Sequence, residues 1–136
     1  MIAQVCAVAA GGATGAVGRY LVGLATPVLV AALHLPGSFP FATFAANFLG
    51  CFAIGALSVF FDEGPHKQAG AWRLFAITGV LGGFTTFSTF GLETIQLVER
   101  GAFGMAGANV AFSLAACLAG VVLGRALMRA IVLTQA

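Results

Sequence analysis

The stretch Gly79-Val80-Leu81-Gly82-Gly83-Phe84-Thr85-Thr86-Phe87-Ser88-Thr89-Phe90 decides how this chain folds. Two adjacent glycines stand just ahead of four hydroxyl residues, and Phe84, Phe87 and Phe90 recur every third position. Ser and Thr hydroxyls compete with a helix for backbone partners, and glycine removes the steric preference for helical dihedrals. The stretch therefore predicts a helix broken near its middle. Its surroundings are apolar from Trp72 to about Val98, long enough to cross a hydrocarbon layer about 30 Å thick. Irregular backbone at that depth is tolerated only where it is buried in protein or lines a polar pathway. Carbonyls freed by the break are also hard oxygen ligands suited to a small cation.

Outward from this segment the chain divides into four apolar stretches, about 2–33, 41–61, 72–98 and 102–127. They are separated by His34-Leu35-Pro36-Gly37-Ser38-Phe39-Pro40, by Asp62-Glu63-Gly64-Pro65-His66-Lys67-Gln68 and by Glu99-Arg100-Gly101, each marked by turn residues, charge or both. Of the 136 residues 60% are hydrophobic and 7% charged, against about a quarter charged in soluble domains. So few charges leave the outer surface facing lipid. Neither period-two alternation nor ten-residue spacing appears, which argues against a lipid-facing β-barrel. The expected fold is an all-α membrane protein: one domain over 1–136 with four transmembrane helices, the third broken at mid-membrane. An even number of spans puts both termini on one side. Lys67, Arg73, Arg125 and Arg129 on that side outnumber Arg100 on the other, which favours termini inside. No basic residue precedes the first apolar run, and the nearest is Arg19, so this run is expected to be a retained span rather than a secretory leader.

The 19 glycines include pairs at four-residue separation: Gly11 and Gly15, Gly79 and Gly83, Gly120 and Gly124. Such small-residue faces let helices in lipid approach closely. Four helices enclose little of a pathway alone, so some of these faces are expected to serve a homo-oligomer. The net charge of +2 is too small to suggest nucleic acid as a partner. Cys6, Cys51 and Cys117 show no metal-ligand spacing and read as small buried hydrophobes. His34 and His66 fall in connections, and no nucleophile–base pair or phosphate loop is present. The chain is not expected to be an enzyme.

Polar residues inside the spans carry the functional signal. Asn47, in Asn47-Phe48-Leu49-Gly50-Cys51-Phe52, is either interhelical glue or a donor for a dehydrated anion. Phe87 and Phe90 would share one face beyond the break. They serve as packing or present the electropositive ring edge to an anion. Arg19 either snorkels to an interface or concentrates anions in a vestibule. Ser113 either lines a pathway or bonds within its own helical turn. Glu93, one turn past Phe90, pairs with another helix or acts as a proton or cation site.

At these residues the sequence resembles the Fluc (CrcB-like) fluoride channel family. Three ordered motifs carry the likeness: Gly11-Gly12-Ala13-Thr14-Gly15-Ala16-Val17-Gly18-Arg19-Tyr20, Asn47 through Phe52, and Gly79 through Phe90. The resemblance spans essentially the whole chain, and the third motif is the most specific. It implies a fluoride-selective channel in the cell inner (plasma) membrane, passively lowering cytoplasmic fluoride. It implies an antiparallel, dual-topology homodimer with two fluoride pathways near the interface. It implies a structural Na+ at the dimer centre, held by the carbonyls of Gly82 and Thr85. It implies that Asn47, Phe87 and Phe90 contact fluoride, with Ser88, Thr89 and Ser113 in the polar wall and Arg19 near a pore mouth. Membrane lipid, fluoride, sodium and a second copy are the partners so implied. The family's polar track continues with hydroxyls along the fourth helix, where this chain has Asn109 and Cys117 a turn either side of Ser113. Two other functions compete: a small multidrug-type proton-coupled exchanger using Glu93, and a non-transporting assembly subunit.

Overall fold

The computed structural model describes residues 1–63 and 70–134. His66 and Lys67 of the second connection, with the charge that Lys67 adds to the terminal side, lie outside the described residues. Helix α1 (Ile2–Ala32) leads through a Pro- and Gly-containing connection to α2 (Phe41–Asp62). The third pass is composite. A single turn, α3 (Gly70–Arg73), opens into a π-helical stretch over Leu74–Leu81, a further turn, α4 (Gly82–Phe84), and, after a break, α5 (Phe87–Glu99). Gly101, at φ +75, supplies the left-handed residue that turns the chain. Helix α6 (Phe103–Leu133) closes the fold. Every described element is helical, and four passes are long and apolar enough to cross a membrane. The protein is a multi-pass membrane protein.

Its packing inverts the soluble pattern. Trp72, Phe103, Phe112 and Leu118 are exposed, whereas Thr43, Asn109 and Ser113 are buried among the helices. In lipid there is no hydrophobic drive to bury the apolar residues, so close backbone contact and internal hydrogen bonds hold the bundle. Two parallel pairs result. In the first, α1 lies on the third pass, where a Cβ at Gly11 would strike the Phe75 carbonyl and one at Gly15 the Val80 carbonyl. On the opposing strand of contact, a Cβ at Gly79 would come within 2.8 Å of the Gly11 Cα. In the second, α6 lies on α2, with Gly120 against Phe48 and Phe52 and Gly124 on the Phe52 carbonyl. All three glycine pairs are therefore used inside one chain, and the expectation that such faces serve an oligomer is not met at these positions.

Gly82 and Gly83 stay helical, Gly83 packing on the Gly12 carbonyl, where a Cβ would come within 2.5 Å, and the expected break of the third pass comes after them. It falls at Thr85 and Thr86, both extended at φ −82, ψ 155 and φ −151, ψ 111. Helix α6 also runs past residue 127, because Arg125 and Arg129 are paired to Glu63 at the end of α2, at 3.3 and 2.7 Å. Arg73 is likewise paired with Asp62 at 3.0 Å. The basic residues of the terminal side that the structure describes are thus all matched by carboxylates; the count of Lys and Arg that orients the chain is unchanged by this pairing.

Candidate functional site: a groove at the broken helix

The break is held open by one side chain. The Thr86 backbone N–H donates to Asn47 Oδ1 at 2.7 Å, and Asn47 Nδ2 donates back to the Thr86 carbonyl at 3.1 Å. Asn47 thus replaces the two hydrogen bonds that a continuous helix would have made, accepting on one atom and donating from another, with a second Nδ2 hydrogen to spare. The other half of the device is Thr86 itself. Its Oγ1 accepts from the Thr89 N–H at 3.2 Å and so caps α5. The Ser88 and Thr89 hydroxyls gather on the same oxygen at 3.2 and 3.0 Å.

Beside the break lies a groove of about 540 Å3, walled by α2, the third pass and α6. It brings together Asn47, Gly82, Thr85, Phe87, Phe90 and Ser113. The Phe87 and Phe90 rings lie 5.4 Å apart at 40°, on one face of α5 as their spacing predicts. Phe87 is 83% exposed at the rim. Among the described residues no donor reaches the carbonyl of Gly82 or of Thr85. The Thr85 hydroxyl is occupied, donating to the Leu81 carbonyl at 2.9 Å.

A hydrogen-bonded chain backs the groove. Ser113 Oγ donates to Asn109 Oδ1 at 3.2 Å, Asn109 Nδ2 to Thr94 Oγ1 at 2.8 Å, and Thr94 Oγ1 to the Phe90 carbonyl at 2.7 Å. Ser113 bonds the side chain, not the carbonyl, of the residue one turn earlier. Asn109 is almost wholly buried and ties α6 to the backbone of Phe90. Its position opposite Thr94 is a matter of helix pairing, and only the rarity of an amide inside a span hinted at it. Thr86 has no such hint: it is one hydroxyl among four.

Ser88 and Thr89 do not line the groove; they belong to the cap of α5. Arg19 is half-buried on α1, outside the groove, with its Nε buried and unpartnered among the described residues. Glu93 also stands outside, accepting from the Thr43 hydroxyl at 2.9 Å. A lone carboxylate apart from this groove is poorly placed to trade protons for a bulky cation there.

Chemically, the groove offers amide and hydroxyl groups, ring edges and open carbonyls within a mostly apolar wall. Comparison with known proteins adds to this geometry. The family model described as CrcB-like protein, Camphor Resistance (CrcB), matches residues 6–125. A protein of Elusimicrobium minutum named fluoride-specific ion channel FluC is 47% identical over 117 residues, covering 86% of each chain. One of the same name from Rhodospirillum centenum is 46% identical over 129 residues, 93% of this chain and 95% of its own. Another, from Agrobacterium fabrum, is 44% identical over 127 residues, 90% and 96% respectively.

Proposed function

The chain belongs to the CrcB-like family, and from that premise we propose that it is a fluoride-selective channel of the cell inner membrane, passively exporting fluoride. It is a channel rather than an enzyme. The observation that carries this reading is the groove itself. An amide-clipped helix break opens beside two aligned phenylalanines, all facing one cavity. Fluoride is small and strongly hydrated, so a conducting path must replace its water with several modest donors and yet hold it loosely enough to release it. The second Nδ2 hydrogen of Asn47 and the ring edges of Phe87 and Phe90 form such a set. Ser113 lines the same groove on α6, with its hydroxyl hydrogen held by Asn109.

The working unit of this reading is an antiparallel homodimer with dual topology. Phe87, exposed at the groove rim together with Leu114, is where a second copy would complete the wall. The same reading assigns a Na+ to the dimer centre. The unpartnered carbonyls of Gly82 and Thr85 fit a hard cation, and they would hold it as a fixed charge that offsets the self-energy of nearby anions. Light scattering in detergent should report two chains per particle, with the monomer fraction rising when sodium is replaced by N-methylglucamine.

The direct test is efflux. Proteoliposomes loaded with potassium fluoride and opened with a potassium ionophore should release fluoride rapidly to an electrode. Phe90→Ile keeps an apolar side chain and removes the ring edge, so efflux should fall by roughly tenfold or more. Efflux no faster than from protein-free liposomes would exclude the channel.

A further inference from the structure

Cys51 and Cys117 both line the groove, one from α2 and one from α6. They stand on facing helices at one seam, Cys51 three residues past Phe48 and Cys117 three before Gly120, which packs on Phe48. Three glycines bring the helices together at this level: Gly120 against Phe48 and Phe52, Gly124 against Phe52, and Gly55 against Val121. Each cysteine also sits one helical turn from a polar residue of the groove wall, Cys51 after Asn47 and Cys117 after Ser113. Cys6 is exposed on α1 and has no part in the groove. The separation of 66 residues between the pair hides this juxtaposition from any spacing rule.

We infer that Cys51 and Cys117 form a two-sulfur binding site for a soft, thiophilic metal ion, and that such an ion, once bound, obstructs the groove. Thiolates are soft ligands and select soft cations over the hard ones that oxygen prefers. Among the described residues no third His, Cys, Asp or Glu joins the pair, so a four-ligand zinc site is not available. That leaves ions satisfied by two sulfurs, of which Hg2+ is the plainest. Binding transfers no electrons. Each thiol releases its proton to water as a sulfur–metal bond forms, so one Hg2+ and two thiols give a neutral bis-thiolate and two protons. A neutral adduct suits an apolar wall, where an uncompensated charge is strongly disfavoured. Binding stands on the geometry alone, whereas obstruction rests on the channel reading.

The experiment uses the whole chain with Cys6→Ala, which removes the exposed thiol. Purified in detergent and titrated with mercuric chloride, it should bind one mercury per chain and lose both free thiols together. Cys51→Ser or Cys117→Ser on that background should weaken binding by at least about tenfold. Two mercury ions per chain, or single-cysteine variants that bind as well as the pair, would overturn the site. In proteoliposomes the same titration should suppress fluoride efflux in the Cys6→Ala protein, with recovery on adding a dithiol. Suppression that persists in the protein lacking all three cysteines overturns the site as its cause. Mercury bound by the pair with unchanged efflux overturns the obstruction. A protein that binds mercury but passes no fluoride even untreated would sink the channel reading and leave the metal site standing.

Discussion

Asn47→Ala is expected to abolish fluoride efflux, to below about one hundredth of the unmodified rate, while the chain still inserts and purifies. The substitution leaves the Thr86 N–H and carbonyl without their partners at 2.7 and 3.1 Å. Each buried backbone group left unmet costs about 1–3 kcal/mol, so the break relaxes toward a conformation that satisfies them. Phe87 follows Thr86 directly and Phe90 lies one turn further on, and their rings leave the groove with it. Asn47→Asp separates this from a direct contact with the anion. Aspartate retains the acceptor for the Thr86 N–H, loses the donor and adds a negative charge beside the path. It should hold the fold better than alanine and conduct no better. Efflux measured with an electrode, alongside thermal unfolding in detergent, checks both halves. An alanine variant that conducts at an unchanged rate would remove Asn47 from the path and from the support of the break.

Gly124→Ala is expected to have the largest effect on the fold. A Cβ there meets the Phe52 carbonyl, the Ala56 nitrogen at 2.9 Å and the Phe52 carbonyl carbon at 3.0 Å. All three are backbone atoms, so neither helix can yield without moving as a body. Overpacking of this kind costs about 1–3 kcal/mol, in a bundle whose cohesion depends on close approach rather than on the hydrophobic effect. Gly107 offers the control on the same helix, since nothing lies within 4 Å of a Cβ added there. Alanine is the better helix former by about 1 kcal/mol, so Gly107→Ala should be neutral or stabilising. Opposite shifts in unfolding temperature for the two alanines would mark the α2–α6 seam. Equal shifts would mean that helix propensity alone decides.

The amino-acid sequence by itself determined the class of the fold and most of the contents of the site. Ten charges among 136 residues leave no alternative to a lipid-facing exterior, and Pro, Gly or charge marks each connection. Asn47, Phe87 and Phe90 were legible because an amide inside a span and phenylalanines three apart are unusual, and the structure places them in one groove. The break in Gly79–Phe90 was legible too, but its position was not. Local chemistry gives the stretch but not the residue: Gly82 and Gly83 stay helical, Gly83 against α1, and the helix is interrupted where Asn47 reaches. That choice joins residues 39 apart in sequence, and no local rule contains it. The same holds for Asn109 on Thr94 and for Cys51 and Cys117 on one groove. Hydropathy and turn chemistry act along the chain and fix which segments cross the membrane. Hydrogen bonds and close packing act between segments, and only they decide which polar side chain meets which break.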